Sequence, residues 1–328
     1  MHIGSITASA KEIQEGLFGG VFLFILETLP ALQERGLRPS WDLDTKHYGR
    51  IIPSVLEMVE PIDGDGPRRS LAEVREFDTR AMGDDFQSIS KLWADYFRPA
   101  QAVVDATNRA DPGLENSLGV HYRGGDKQRS RWDTNPIRRE DFLAVVEDRI
   151  REDPTIDHCL VASDDAAFID HARRRIGLPV TLLPAGAQHK VKGIGEASTA
   201  RAGAALRDCM LLSRCKAVIQ TSSALPSFAK ILRPELDCRR CAASKWFGRV
   251  PYFPVAYIPV HEATDLATRA VIEKAMVDDW SRQPEATDVP RGVAHTRVSS
   301  IPRPPARHLG RFGRLGWLRG WRDRLLGV

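Results

Sequence analysis

The chain has 328 residues, 42% of them hydrophobic and 27% charged, an ordinary composition for a globular protein long enough to build two domains. The formal net charge is +4, yet residues 302–328 contribute +6 through seven Arg and one Asp, leaving about −2 for the rest; a near-neutral body excludes a nucleic-acid groove as the main function. Five cysteines, odd in number and sparse, exclude a disulfide framework and fit a reducing compartment.

Leu17 to Leu26 is a strongly apolar run. Glu12 and Glu15 precede it beside a single Lys, and no small-residue cleavage pattern follows, so it does not read as a signal peptide. Glu27 and Pro30 cut it short of a bilayer span. The reading is a buried helix near the start of a first domain, with Gly16 to Gly20 either lining a cleft or packing. Leu37 to Leu43 reads as a strand entering a loop, and residues 61–70 as a loop rich in Pro, Gly and Asp. Phe86 to Thr107 has helical spacing, with Ile89, Leu92, Trp93, Tyr96 and Phe97 on one side. Ala110-Asp-Pro-Gly113 marks the expected domain boundary.

From Leu118 onward, apolar strands alternate with helical stretches. The strands are Leu118–Val120, Cys159–Ala162, Val180–Leu183 and Ala217–Gln220. The helices are Ala166–Ile176, Thr199–Arg214 and Leu225–Leu232. That alternation predicts right-handed crossovers and a parallel sheet, with chemistry at the carboxyl ends of the strands. The first such end reads Leu118-Gly-Val-His-Tyr-Arg-Gly-Gly-Asp-Lys127. Its glycines allow close backbone approach to a ligand, and Arg123 can grip a diphosphate at two points. The second is Val161-Ala-Ser-Asp-Asp165, where the alternative role of Ser163 or Asp164 is to cap the next helix. In the third, Asp208 interrupts the apolar face of a helix and needs a partner. A guanine edge offers paired donors; a salt bridge to Arg123 or Arg201 is the alternative. Thr221-Ser222-Ser223 offers hydroxyls and amides at a helix start, an anion site. Cys238-Arg-Arg-Cys241 has metal-ligand spacing, but with no second pair it is expected to be a plain loop.

The pattern His121-x-Arg123-x-x-Asp126-Lys127, followed by Ser163-Asp-Asp165 and then by Asp208 … strand … Ser222-Ser223, resembles the ordered motifs of the GDP-fucose-dependent fucosyltransferases: α1,6-fucosyltransferases, bacterial nodulation enzymes and protein O-fucosyltransferases. The resemblance spans Leu118 to Leu232. It implies an α/β protein of GT-B type, two Rossmann-like domains with a cleft between them, that uses GDP-fucose, inverts the anomeric carbon and needs no metal or other cofactor. Arg123 would hold the β-phosphate, and His121 and Asp208 would recognise guanine. Asp164 and Asp165 would shape the donor site, with Gly124, Lys127, Thr221, Ser222 and Ser223 around the phosphates. Arg123 and Asp126 are the expected catalytic groups of the first motif. Two departures stand out. Many α1,6-enzymes carry Arg-Arg where this chain has Arg123-Gly124. They also place a glutamate a few residues beyond the Lys, where this chain has Gln128-Arg-Ser-Arg131. Asp133 is the nearest carboxylate for the role of base, and Glu140 lies further along. Trp132 either stacks on a sugar or packs.

After Trp280 the chain is Pro-rich. Leu309, Phe312, Leu315, Leu318, Trp321 and Leu325 then recur among Arg307, Arg311, Arg314, Arg319, Arg322 and Arg324. That is the pattern of a basic amphipathic helix on an anionic membrane, although Gly310, Gly313, Gly316 and Gly320 weaken it, leaving an unstructured tail or a partner-binding helix as alternatives. The expected organisation is an acceptor-side domain over 1–112, a nucleotide-sugar domain over 113–280, and a linker and tail over 281–328. The expected protein is a cytoplasmic glycosyltransferase, peripheral to the inner face of the membrane through 307–325, acting on a glycan acceptor and on no nucleic acid. Its alternatives are a transferase for another sugar nucleotide, a catalytically inactive binder, or a membrane-tethered scaffold.

Overall fold

The computed structural model describes residues 4–9, 16–45, 47–60, 68–70, 86–124, 137–183, 196–221, 223–242 and 256–259. The chain is an α/β protein. Strands β1 (Gly4–Ser9) and β2 (Leu37–Asp42) run parallel, joined by a helix that begins as a π-type turn at Leu17–Phe22 and continues as α1 (Leu23–Glu34). The expected helix is therefore there, and it runs on through Pro30 to Glu34. A short hairpin follows, β3 (Asp44–Thr45) with β4 (Gly49–Arg50), and Gly49 turns it with φ at 60°. Strand β5 (Leu56–Met58) comes next. Strand β6 (Arg68–Ser70) then adds to β1, so the end of the segment expected to be a loop is strand.

The stretch 86–107 is not one helix. It is α2 (Phe86–Tyr96), then β7 (Phe97–Pro99) paired antiparallel with β5, then α3 (Gln101–Ala110). Pro99 has no amide hydrogen to continue a helix, and it turns the residue before it to extended backbone.

The second sheet has six parallel strands. They are β8 (Ser117–Tyr122), β9 (His158–Ser163), β10 (Val180–Leu182), β11 (Ala217–Gln220), β12 (Asp237–Ala242) and β13 (Ala256–Pro259). Helices α4 (Arg139–Glu152), α5 (Ala166–Arg175), α6 (Glu196–Arg214) and α7 (Ala224–Leu232) connect them. The spatial order is β10-β9-β8-β11-β12-β13. The chain starts at the centre, fills one side, returns and fills the other. Such a sheet binds ligands where the direction reverses, here between the carboxyl ends of β8 and β11.

Alternation along β8 divides its side chains between two cores. Leu118, Val120 and Tyr122 pack with Phe142, Val146 and Phe168, and the Tyr122 and Phe168 rings stack 4.3 Å apart. Gly119 belongs to the other face, where a Cβ would lie 3.0 Å from Leu212 of α6 and 3.3 Å from Cys215. On that face the core is continuous with the first part of the chain. Phe228 of α7 touches Phe18, Phe22 and Trp93, with ring centroids 4.9 to 5.4 Å apart. Cys238-Arg-Arg-Cys241 is strand β12 and not the expected loop. Cys238 faces one core and Cys241 the other, so one metal cannot bind both.

Candidate functional site

Every residue of β8 is buried, and the chain reaches the switch point directly beyond it, at Arg123. Two neighbouring strands fix that residue. Its backbone amide donates to Thr221 Oγ1 at 2.8 Å, at the end of β11, while Thr221 N donates back to His121 O at 3.0 Å. Its guanidinium meets Asp164 Oδ2 at 2.9 Å, at the end of β9, with the two side chains only 14% and 16% exposed. Asp164 Oδ1 accepts from Gly124 N at 2.7 Å. Arg123 is thus held by its main chain and its side chain across three strands, which preorganises a planar cation at the ligand end of the sheet.

Gly124 is required by its neighbour. A Cβ there would lie 2.6 Å from Asp165 Cβ, inside any real contact distance. Asp165 is the cap of α5, accepting from Phe168 N at 3.1 Å, so the cap is neither Ser163 nor Asp164. Its other oxygen accepts from Arg139 at 2.8 Å. Ser163 Oγ donates to Tyr122 O and accepts from Asp165 N. Asp165 shapes the turn from beneath. All four oxygens of the Asp164–Asp165 pair already accept hydrogen bonds.

His121 and Asp208 stand on elements that pack together, β8 and α6, through Gly119 and Leu212. His121 is the next residue after Gly119 on its face of β8, about 6.6 Å further along. Asp208 is one turn before Leu212 on α6, which runs back against the strands, about 6 Å in the same direction. Both are buried, at 7% and 4% exposure. The partner of Asp208 is neither Arg123 nor Arg201. It is the adjacent Arg207, whose Nη2 donates to Oδ1 at 2.7 Å. Among the described residues Oδ2 accepts no hydrogen bond. Burial pushes the Asp208 carboxyl up to about 6, against the opposing pull of Arg207.

Ser223 precedes α7 with an extended backbone, and its side chain makes no capping bond. Gln220, fully buried, clasps the turn: with its amide turned to satisfy both ends, the nitrogen donates to the carbonyls of Thr221 and Ser223 and the oxygen accepts from Ser227 Oγ. Asp126, Lys127, Trp132, Asp133 and Ser222 lie outside the described residues. Glu140 is exposed in the first turn of α4, and its Oε1 lies 3.5 Å from His171 Nδ1.

Sequence reading missed Tyr48, of the β3–β4 hairpin, whose phenol feels the charges of Arg123 and Arg201. It is 4% exposed. Burial raises its phenol above the usual value, while a hydrogen bond from Leu17 and the charges of Arg123 and Arg201 act in the opposite direction. Arg201 of α6 donates to His47 O at 3.0 Å and to Ser198 Oγ at 3.1 Å, tying the hairpin to the helix. No linear signal joins Tyr48 to Arg123, 75 positions later; only the fold brings them together.

No protein-family model and no curated protein sequence matches the chain. Solved structures are similar to it. The fucosyltransferase NodZ from Bradyrhizobium matches at 15% identity and TM-score 0.47, over 72% of this chain and 95% of that one. POFUT1 in complex with GDP-fucose matches at 10% identity and TM-score 0.43, over 77% and 97%. A mutant of Arabidopsis thaliana FUT1 in complex with GDP matches at 11% identity and TM-score 0.42, over 73% and 70%.

Proposed function

We propose that this chain is a glycosyltransferase that moves fucose from GDP-fucose to a glycan hydroxyl, with inversion and without a metal. The carrying observation is Arg123, fixed at the switch point of a doubly wound sheet by Asp164 and Thr221. In this reading the acceptor oxygen attacks the anomeric carbon, and the bond from that carbon to the β-phosphate oxygen breaks with its electron pair going to GDP. Arg123 meets the charge that develops there. Asp208 accepts from the paired donors of guanine, and His121 stands on the strand that packs against α6. Asp126 or Asp133 is the proposed group that takes the acceptor's proton.

Metal independence is favoured by Asp164 and Asp165, whose oxygens are committed to Gly124, Arg123, Phe168 and Arg139 and do not form an open carboxylate pair. We read residues 1–112 as the acceptor side of a GT-B arrangement. Among the described residues no helix is long and apolar enough to cross a membrane. Attachment to the inner face of a membrane is proposed for the basic segment 307–325, which lies outside them.

The test is calorimetry of the full chain against GDP, UDP and ADP, followed by turnover of GDP-fucose with and without EDTA. GDP is expected to bind tightest, and turnover to survive chelation. Equal affinity for the three nucleotides would remove the guanine assignment. Loss of turnover in EDTA with rescue by manganese would remove metal independence. Tight GDP binding with no release of fucose under any acceptor would favour an inactive binder. For the tail, loss of sedimentation with anionic vesicles on deleting 303–328, with GDP affinity kept, is the expected result.

A further inference from the structure

Arg207 holds Asp208 in a lopsided way. An arginine and a carboxylate paired for stability alone gain most from the parallel arrangement, one N–H on each oxygen. Here both contacts fall on a single oxygen: Nε donates to Asp208 Oδ1 at 3.1 Å, and Nη2 donates to the same atom at 2.7 Å. Oδ1 is filled, while Oδ2 keeps both of its lone pairs among the described residues. The pair also straddles the edge of the core. The Arg207 side chain is 20% exposed and that of Asp208 is 6% exposed, so the cation stays partly hydrated while the carboxylate is withdrawn from water. Burial favours a protonated carboxyl there, and Arg207 opposes it by hydrogen bond and by charge.

Among the described residues, Arg207 is the charge that acts on Asp208. The titratable neighbours are Cys209 on α6 itself and Cys238 of β12 beyond it, both thiols pushed up by burial, and His121 on β8. The start of α7, which meets Cys209 at Leu225, brings no titratable side chain. Helix α3 meets α6 at Gly203 and Met210, and the β3–β4 hairpin meets it two turns earlier, at Arg201.

We propose that Arg207 is a positioning residue for base recognition: it clamps one oxygen of Asp208 and so presents the other to the N–H donors of a guanine base. This rests on the donor reading above, and it assigns the group that keeps the base-binding carboxylate charged and in one orientation.

The experiment is calorimetry of the full chain with GDP and UDP between about pH 5 and 8.5, on the wild type, Arg207→Gln and Arg207→Lys, with a melt of each. The carboxyl carbon of Asp208, assigned by its loss in Asp208→Asn, is followed by NMR over the same range without nucleotide. Arg207→Gln is expected to move the Asp208 titration, and with it the pH at which GDP outbinds UDP, upward by about one unit or more. On the acid side it should lose about tenfold of the preference for GDP, and most should return at the alkaline end. Arg207→Lys, with the charge but without the planar grip, should lie between, and it is read in place of Arg207→Gln if that variant melts below the assay temperature. If the profiles of variant and wild type coincide, or if GDP and UDP weaken alike with the Asp208 titration unmoved, Arg207 is an ordinary ion pair and the proposal falls. If the titration moves but the wild type shows no preference for GDP over UDP, the hold on Asp208 is upheld and its use for guanine is overturned.

Discussion

Arg123→Lys keeps a positive charge at the switch point but gives up the planar fork that can hold Asp164 with one edge and a phosphate with another. Losing one preorganised donor costs about 2.7 kcal/mol in transition-state stabilisation, so kcat of the donor reaction is expected to fall about a hundredfold with the fold intact. Steady-state turnover beside a thermal melt decides it, and near-normal turnover would dismiss the diphosphate role. Asp208 gives a pH signature. In the proposed guanine contact only its ionised form would accept from both donors, and burial holds its carboxyl up at about 6. GDP affinity relative to UDP should therefore rise as pH increases through 6, by up to about tenfold per unit on the acid side, and level off above about pH 7. Without nucleotide the sign for stability is opposite. The folded form binds the extra proton, so Asp208 costs stability as pH rises from about 4 through 6. Asp208→Asn should flatten both profiles and weaken GDP by about 1.5–3 kcal/mol more than UDP. The burial of this carboxylate was legible in the sequence, because a charge interrupted an apolar helix face. Its partner was not: Arg207 is adjacent in sequence, a spacing at which helical side chains normally diverge, and only its long arm curls back.

The turn Arg123-Gly124 and the cap of α5 form one unit. Gly124→Ala sets a methyl group 2.6 Å from Asp165 Cβ, which is anchored by its helix cap and by Arg139 and cannot swing aside. Overpacking of this kind costs about 1–3 kcal/mol. Gly119→Ala meets Val218 and Leu212 at 2.9 and 3.0 Å, but at the ends of side chains that can shift, so its loss should be the smaller. Denaturant midpoints of the two variants check that order, and an unchanged midpoint for Gly124→Ala would show that the turn relaxes freely. Elements whose residues agree with their local preference were legible: β8, β9, β11 and helices α5 to α7 appear within a few residues of expectation. Those decided by tertiary packing were not. Strand β12 reads Asp-Cys-Arg-Arg-Cys-Ala, with no β-branched residue, and becomes a strand because β11 and β13 pair with it on both sides.

At the scale of the molecule, doubly wound connectivity followed from the alternation of strands and helices, and the switch point is where Arg123 meets Asp164. The order of strands across the sheet did not follow, since adjacency is settled by three-dimensional pairing. The tie between the β3–β4 hairpin and α6, where Arg201 donates to His47 O, was likewise hidden, because the two lie 154 positions apart in the chain. The aromatic cluster around Phe228 belongs to a core shared by the first hundred residues and α7. Calorimetry of the full chain is therefore expected to show one cooperative transition spanning both, and two well-separated transitions would contradict a shared core.

The five cysteines are all buried, and burial pushes the thiols of Cys159, Cys215 and Cys238 up to about 12. Thiols held in that state are poor nucleophiles and poorly exposed to oxidants. They amount to a set of closed shutters distributed through both cores, and each opens only when its own part of the molecule does. Brief labelling with a maleimide, read by mass, would then time the opening of the fold site by site. Native protein should take up label only at the pace of unfolding, and nucleotide that binds the folded form should slow all five sites together. A cysteine labelled at once in the native protein would mark a region that opens independently of the rest.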